Sequence, residues 1–174
     1  MRDRLKGNLF VRKGELYRPP FSLTSDVAGI IILTMNIKEY IRKVSKILKI
    51  DPPKIKMVDK LDTETMMAAV NPETNKILVK NNLLNYDLLF SIAHELRHIW
   101  QYHNERSMFD DYKSSKALSK EEYNLQPAEI DANAFGKIIM VDKFGVKPLF
   151  EGMSDHVIMA INQREQEIRE KIFS

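Results

Sequence analysis

The segment Ile92-Ala93-His94-Glu95-Leu96-Arg97-His98-Ile99-Trp100 constrains this chain more than any other feature. It sits in a pattern that predicts a helix from Asn85, a capping residue, to about His103, with Leu89, Ile92, Ala93, Leu96 and Trp100 on one face. A spacing of four puts His94 and His98 one helical turn apart on the same side, so both imidazoles can reach a single metal ion. Glu95 then projects beside that ion and can accept a proton from a metal-bound water. The chain contains no cysteine, which leaves only His, Asp and Glu as metal ligands.

Zinc in catalytic sites takes three protein ligands and keeps one position for water, so a third ligand is required. His103 lies about 140° further round the helix than His98, and no glycine breaks the helix to bring it back. Glu105 returns to the correct face, but about 16 Å along the axis from His94. The better candidate is Glu129 in Pro127-Ala128-Glu129-Ile130-Asp131-Ala132-Asn133-Ala134-Phe135-Gly136. Pro127 fits the first position of a helix, which Gly145 and Pro148 close. On it Glu129, Ala132, Asn133 and Gly136 share a face whose small residues permit close packing against the histidine helix. Asn133, one turn after Glu129, is placed to hydrogen-bond a ligand histidine and fix its orientation.

The other elements are ordinary. Ile37 to Leu48 has helical spacing and is ended by Asp51-Pro52-Pro53. Lys54 to Asp59, Met66 to Val70 and Lys76 to Lys80 read as strands of a small, mostly antiparallel sheet, the last two joined across Asn71-Pro72-Glu73-Thr74-Asn75. Asn8 to Arg18 reads as a hairpin, Val27 to Met35 as a buried strand or helical turn, and Glu105 to Asn124 as a long surface loop bordering the cleft, with room for a helical turn inside it. Ser154 can cap a last helix. The expected organisation is one α+β domain over 1–174, with an N-terminal extension (1–35), a catalytic core (36–145) and a C-terminal helix (153–173).

Composition sets limits on partners and compartment. A chain of 174 residues supports one good core, and 27 basic against 24 acidic residues leave a net charge of only +3, a weak case for a nucleic-acid partner. Met1 to Pro20 lacks the apolar stretch of a secretory signal, and Val27 to Met35, the longest apolar run, is too short to cross a membrane. The expectation is a soluble, cytoplasmic protein, with its oligomeric state left open.

His94-Glu95-x-x-His98 followed by Glu129-x-x-Ala132-Asn133-x-Phe135 resembles the short zincin metallopeptidases with a glutamate ligand, the gluzincin-like type, and is similar to the ImmA/IrrE family of bacterial and phage peptidases. The resemblance covers about Ile37 to Gly145. It implies a zincin-like fold in which the sheet packs on the metal helix and a glutamate helix, with an edge strand that pairs with an extended peptide. Met66 to Val70, with Ala68 and Ala69 at its centre, is the candidate for that strand. By the same analogy a Tyr or His stabilises the oxyanion, and Tyr123 and His156 are the two candidates. The function so implied is zinc-dependent hydrolysis of peptide bonds in a protein substrate, Glu95 activating the zinc-bound water. The competing readings are a catalytically idle zinc-binding interaction module and a DNA-associated protease. No helix-turn-helix segment supports the last.

Overall fold

The computed structural model describes residues 10–11, 36–62, 66–81, 83 and 85–173. Val27 to Met35 and most of the expected Asn8 to Arg18 hairpin lie outside the described residues. Helix α1 (Ile37–Leu48) begins at Asn36, whose side chain accepts a hydrogen bond from the Lys38 amide at 2.9 Å. It buries Tyr40, Ile41, Val44 and Leu48, the stripe that its spacing dictates, and ends where Lys49 turns left-handed at φ 55°. The Tyr40 hydroxyl donates to the Leu89 carbonyl at 2.9 Å, fixing α1 against the helix that carries the histidines.

Four strands form one sheet: β1 (Phe10–Val11), β2 (Lys54–Val58), β3 (Ala68–Asn71) and β4 (Lys76–Lys80), in the order β1-β3-β4-β2. β3 and β4 make an antiparallel hairpin whose turn is shaped by Asn71, accepting from the Thr74 amide at 3.0 Å, and by Asn75 at φ 48°. The sheet is mostly antiparallel as expected, β1 with β3 and β3 with β4, while the pairing of β2 with β4 is parallel and was not expected. Alternation of apolar and polar residues specifies which face of a strand is buried and says nothing about strand direction. Direction follows here from the strand order, in which β4 and not β3 lies beside β2, so the second strand of the β3–β4 hairpin runs the same way as β2. The strand expected at Met66 to Val70 starts two residues later, with Met66 and Met67 buried ahead of it.

Helix α2 (Asn85–Asn104) crosses the inner face of this sheet, where Ala68, Val70, Ile77 and Val79 join Leu89, Ile92, Ala93, Leu96 and Ile99 in the core. It is buried on nearly every side over its middle turns, because α4 (Pro127–Phe144) covers the side away from α1 and the sheet. Between them the chain forms a short 3₁₀ turn (Arg106–Phe109) and helix α3 (Lys120–Asn124), started by a reciprocal Ser119–Glu122 capping box. The stretch read as loop is therefore partly helical. Helix α5 (Asp155–Phe173) packs on α4 through Val157, Ile161 and Ile168 and through the Lys137 ammonium, which donates to Asn162 at 2.7 Å. Ser154 precedes it as expected, its hydroxyl accepting from the Val157 amide at 3.4 Å. Among the described residues no helix is long and apolar enough to cross a membrane.

Asp87, in the first turn of α2, is only 7% exposed, and burial pushes its carboxyl up to about 6 from an unfolded value of 3.8. A folded-state pKa above the unfolded one means that the native protein binds the extra proton. This group therefore favours folding at low pH and loses that advantage as pH rises from 3.8 through about 6. Asp87→Asn should gain stability over the native protein as pH is raised from 4 to 7, by on the order of 1–3 kcal/mol in chemical denaturation. A difference that is flat across this range would refute the burial argument.

Candidate metal centre

His94 and His98 leave consecutive turns of α2, with ring centroids 4.6 Å apart and planes at 81°, both on the side that faces α4. Glu129 reaches them from the first turn of α4, which Pro127 opens because a first-turn residue has no intrahelical use for its missing N–H. Close approach of the two helices depends on Gly136. A Cβ there would lie 3.0 Å from the Phe90 ring on α2, too close for the present packing. The small-residue face read from the sequence is the one that meets the metal helix.

The three side chains converge. Glu129 Oε2 lies 3.4 Å from His94 Nε2, and Glu129 Oε1 lies 3.4 Å from His98 Nε2. One ligand atom from each residue lies within 4.8 Å of the others, and all three residues are buried. Atoms held about 2.0–2.2 Å from a tetrahedral divalent ion lie about 3.3–3.6 Å from one another, and each imidazole meets a Glu129 oxygen at that spacing. Charge points the same way. Glu95 is 1% exposed and Glu129 is fully buried, and buried carboxylates are costly unless positive charge, from a protonated imidazole or a metal ion, lies beside them. Burial pushes the Glu129 carboxyl up, but the two imidazoles more than offset it and hold the group well below its ordinary range. Burial pushes His98 down, and the Glu129 and Glu95 charges together with the Glu129 and Gln101 hydrogen bonds raise it above the usual histidine value. The pocket is thus built for positive charge between these groups.

Two tyrosines flank the glutamate. The hydroxyls of Tyr123, on α3, and Tyr112, in the segment before it, each lie 2.7 Å from Glu129 Oε1 and 2.7 Å from one another. Each hydroxyl carries one proton, so the triangle holds at most two hydrogen bonds at once. Burial, then the Glu129 charge, raises the Tyr112 hydroxyl well above the ordinary phenol value and keeps it a donor. Nothing in the periodicity of Asp110-Asp111-Tyr112 marks this residue in advance.

The outer contacts add a residue to the sequence reading. Asn133 is fully buried on α4, and on α2 His98 Nδ1 donates to Gln101 Oε1 at 2.7 Å. Gln101 is three residues past His98 on the same face of α2, a helical neighbour that spacing could have identified. His156 is exposed on the first turn of α5, unlike the buried Tyr123. Ala68 and Ala69 are buried on β3, and the side of β3 away from β4 is paired with β1 in the register Val11 to Ala69 and Phe10 to Val70. Glu105, rejected as a ligand on distance, instead approaches Arg164 at 3.9 Å.

A family model described as "Putative metallopeptidase family (DUF6782)" matches residues 16–140, which contain all three clustered residues and Glu95. No curated protein and no solved structure matches the chain.

Proposed function

The chain belongs to the putative metallopeptidase family DUF6782, and on that premise we propose that it is a zinc-dependent endopeptidase acting on a protein substrate. The observation that carries this reading is the buried convergence of His94, His98 and Glu129, one ligand atom of each within 4.8 Å of the others, with the charge of buried Glu95 acting on His98. Two imidazoles and one carboxylate favour zinc among the common divalent ions and make the site one of the glutamate-ligand zincin type, as in the ImmA/IrrE peptidases. Once bound, zinc would act as a Lewis acid on the scissile carbonyl and acidify the attacking water.

The chain's own groups supply the remaining chemistry. Glu95 takes the proton from the attacking water and returns it to the leaving amine, the two tasks of a general base that becomes a general acid. Glu129 neutralises charge in the pocket and is steadied by Tyr112 and Tyr123. Of the two candidate oxyanion donors, Tyr123 has its hydroxyl at the cluster and is the one we favour over the exposed His156. For Ala68 and Ala69 to pair with an extended peptide, Phe10–Val11 must leave the β3 edge, so the substrate would compete with β1 for the same backbone groups. An intact, buried Glu95 favours a working enzyme over an idle zinc module.

Metal removal tests the proposal. Zinc should raise the melting temperature in a concentration-dependent way, the gain approaching about 4 kcal/mol when free zinc exceeds its dissociation constant a thousandfold. Cleavage of an unfolded protein mixture, followed by mass spectrometry of the fragments, should stop on chelation and return when zinc is restored. Cleavage that persists in fully chelated protein would overturn the reading.

A further inference from the structure

Asp131 sits two residues after Glu129 and is 1% exposed, yet it has no place among the metal ligands. Its two carboxylate oxygens accept from Arg97 Nε at 2.7 Å and Nη2 at 3.1 Å, from Gln101 Nε2 at 2.7 Å, and from Arg164 Nε at 2.8 Å. Arg97 comes from α2, where its guanidinium lies 3.7 Å from the centre of the Trp100 ring. Arg164 comes from α5, a helix that begins beyond the matched span of 16–140. Burial of the carboxylate is offset by these donors, and Asp131 stays ionised below the ordinary range.

The consequence runs through Gln101. Its amide nitrogen faces two acceptors, the Asp131 carboxylate and the Ala128 carbonyl at 2.9 Å, so a flipped amide would set oxygen against oxygen twice. The amide oxygen must therefore face His98 Nδ1, 2.7 Å away. An acceptor at that distance requires Nδ1 to carry a proton, so that Nε2, 3.4 Å from Glu129 Oε1, is the nitrogen left to give up its own proton and turn a lone pair to the cluster. We propose that Gln101 is a positioning residue that fixes the tautomer and ring orientation of His98, and that Asp131 and Arg164 hold Gln101 to the task. Helix α5 is on this reading a working part of the metal centre, which rests on the site proposed above.

Neutral imidazole in water favours the proton on Nε2, so a tautomer locked the other way is a signature that mere packing does not produce. Long-range ¹H–¹⁵N NMR of the metal-free native protein at pH 9 should show His98 protonated on Nδ1. Gln101→Met should relax that preference and weaken zinc binding, measured by chelator competition, by about 10- to 100-fold, the usual range for removing such a partner. Arg164→Leu should shift both readouts the same way by a smaller factor. Native His98 with no proton on Nδ1, or Gln101→Met folded and binding zinc as tightly as the native protein, would overturn the proposal. Failure of the native protein to bind zinc would count against the metal site alone, because the tautomer is read without metal.

Discussion

Glu95→Gln should lose peptide cleavage by a factor of at least about 10² to 10⁴ while keeping its zinc and its fold. The substitution preserves the size of the side chain and its capacity to form hydrogen bonds, and removes only the basic carboxylate. Glu95 lies between the two histidines in sequence and is 1% exposed, and its charge helps to raise His98, yet it is outside the convergent group of His94, His98 and Glu129. The proposed role of Glu95 in proton transfer, and not in metal binding, is consistent with that arrangement. The relevant comparison is cleavage rate at saturating zinc alongside metal content, on the same preparations. Native-rate cleavage by the variant would remove Glu95 from the mechanism, and loss of zinc equal to that of a ligand variant would move it into the coordination set.

Asp131→Ala should destabilise the protein by about 3–5 kcal/mol, because breaking a buried ion pair leaves its partner charged and uncompensated in a dry interior. Arg97 is 5% exposed and would lose both of its contacts to the carboxylate, while Gln101 would lose one of the two acceptors that orient it. The pair is cross-linked to α5 by Arg164, so the loss should appear as a lower midpoint of denaturation of the whole domain and not as fraying of one helix. Urea denaturation of the metal-free proteins measures this without interference from zinc. A change below 1 kcal/mol would show that the arginines find water or other partners and that the network is not a structural tie.

Much of this arrangement is legible in the sequence because it depends on helical periodicity, which is local. His94 and His98 share a face by spacing alone, Pro127 and Gly145 bound α4, and the small residues Ala132 and Gly136 turn Glu129 toward the metal helix. Asn36 and Ser154 announce their helices in the same way. What periodicity cannot convey is the pairing of groups distant in the chain. The parallel alignment of β2 with β4 depends on which strand of the β3–β4 hairpin takes the place beside β2, and the two strands would show the same alternation in either direction. Tyr112 reaches Glu129 because the polar segment after α2 folds back over the site, a path set by tertiary contacts such as Phe109 against His98 at 6.2 Å between ring centroids. Asp131 points away from the face assigned to the ligand, so its bonds to Arg97 and to Arg164, 33 residues further on, are invisible to a face-by-face reading.

The central claim is that His94, His98 and Glu129 hold one metal ion, and it is tested most directly by zinc stoichiometry. Native protein, Glu95→Gln and Glu129→Gln are each equilibrated with zinc, desalted and assayed by elemental analysis, with circular dichroism confirming that each is folded. A neutral amide is a poor zinc ligand, so Glu129→Gln should lose most of its metal, whereas native protein and Glu95→Gln should retain one zinc per chain. Full retention by folded Glu129→Gln, or no bound zinc in the native protein, would contradict the site.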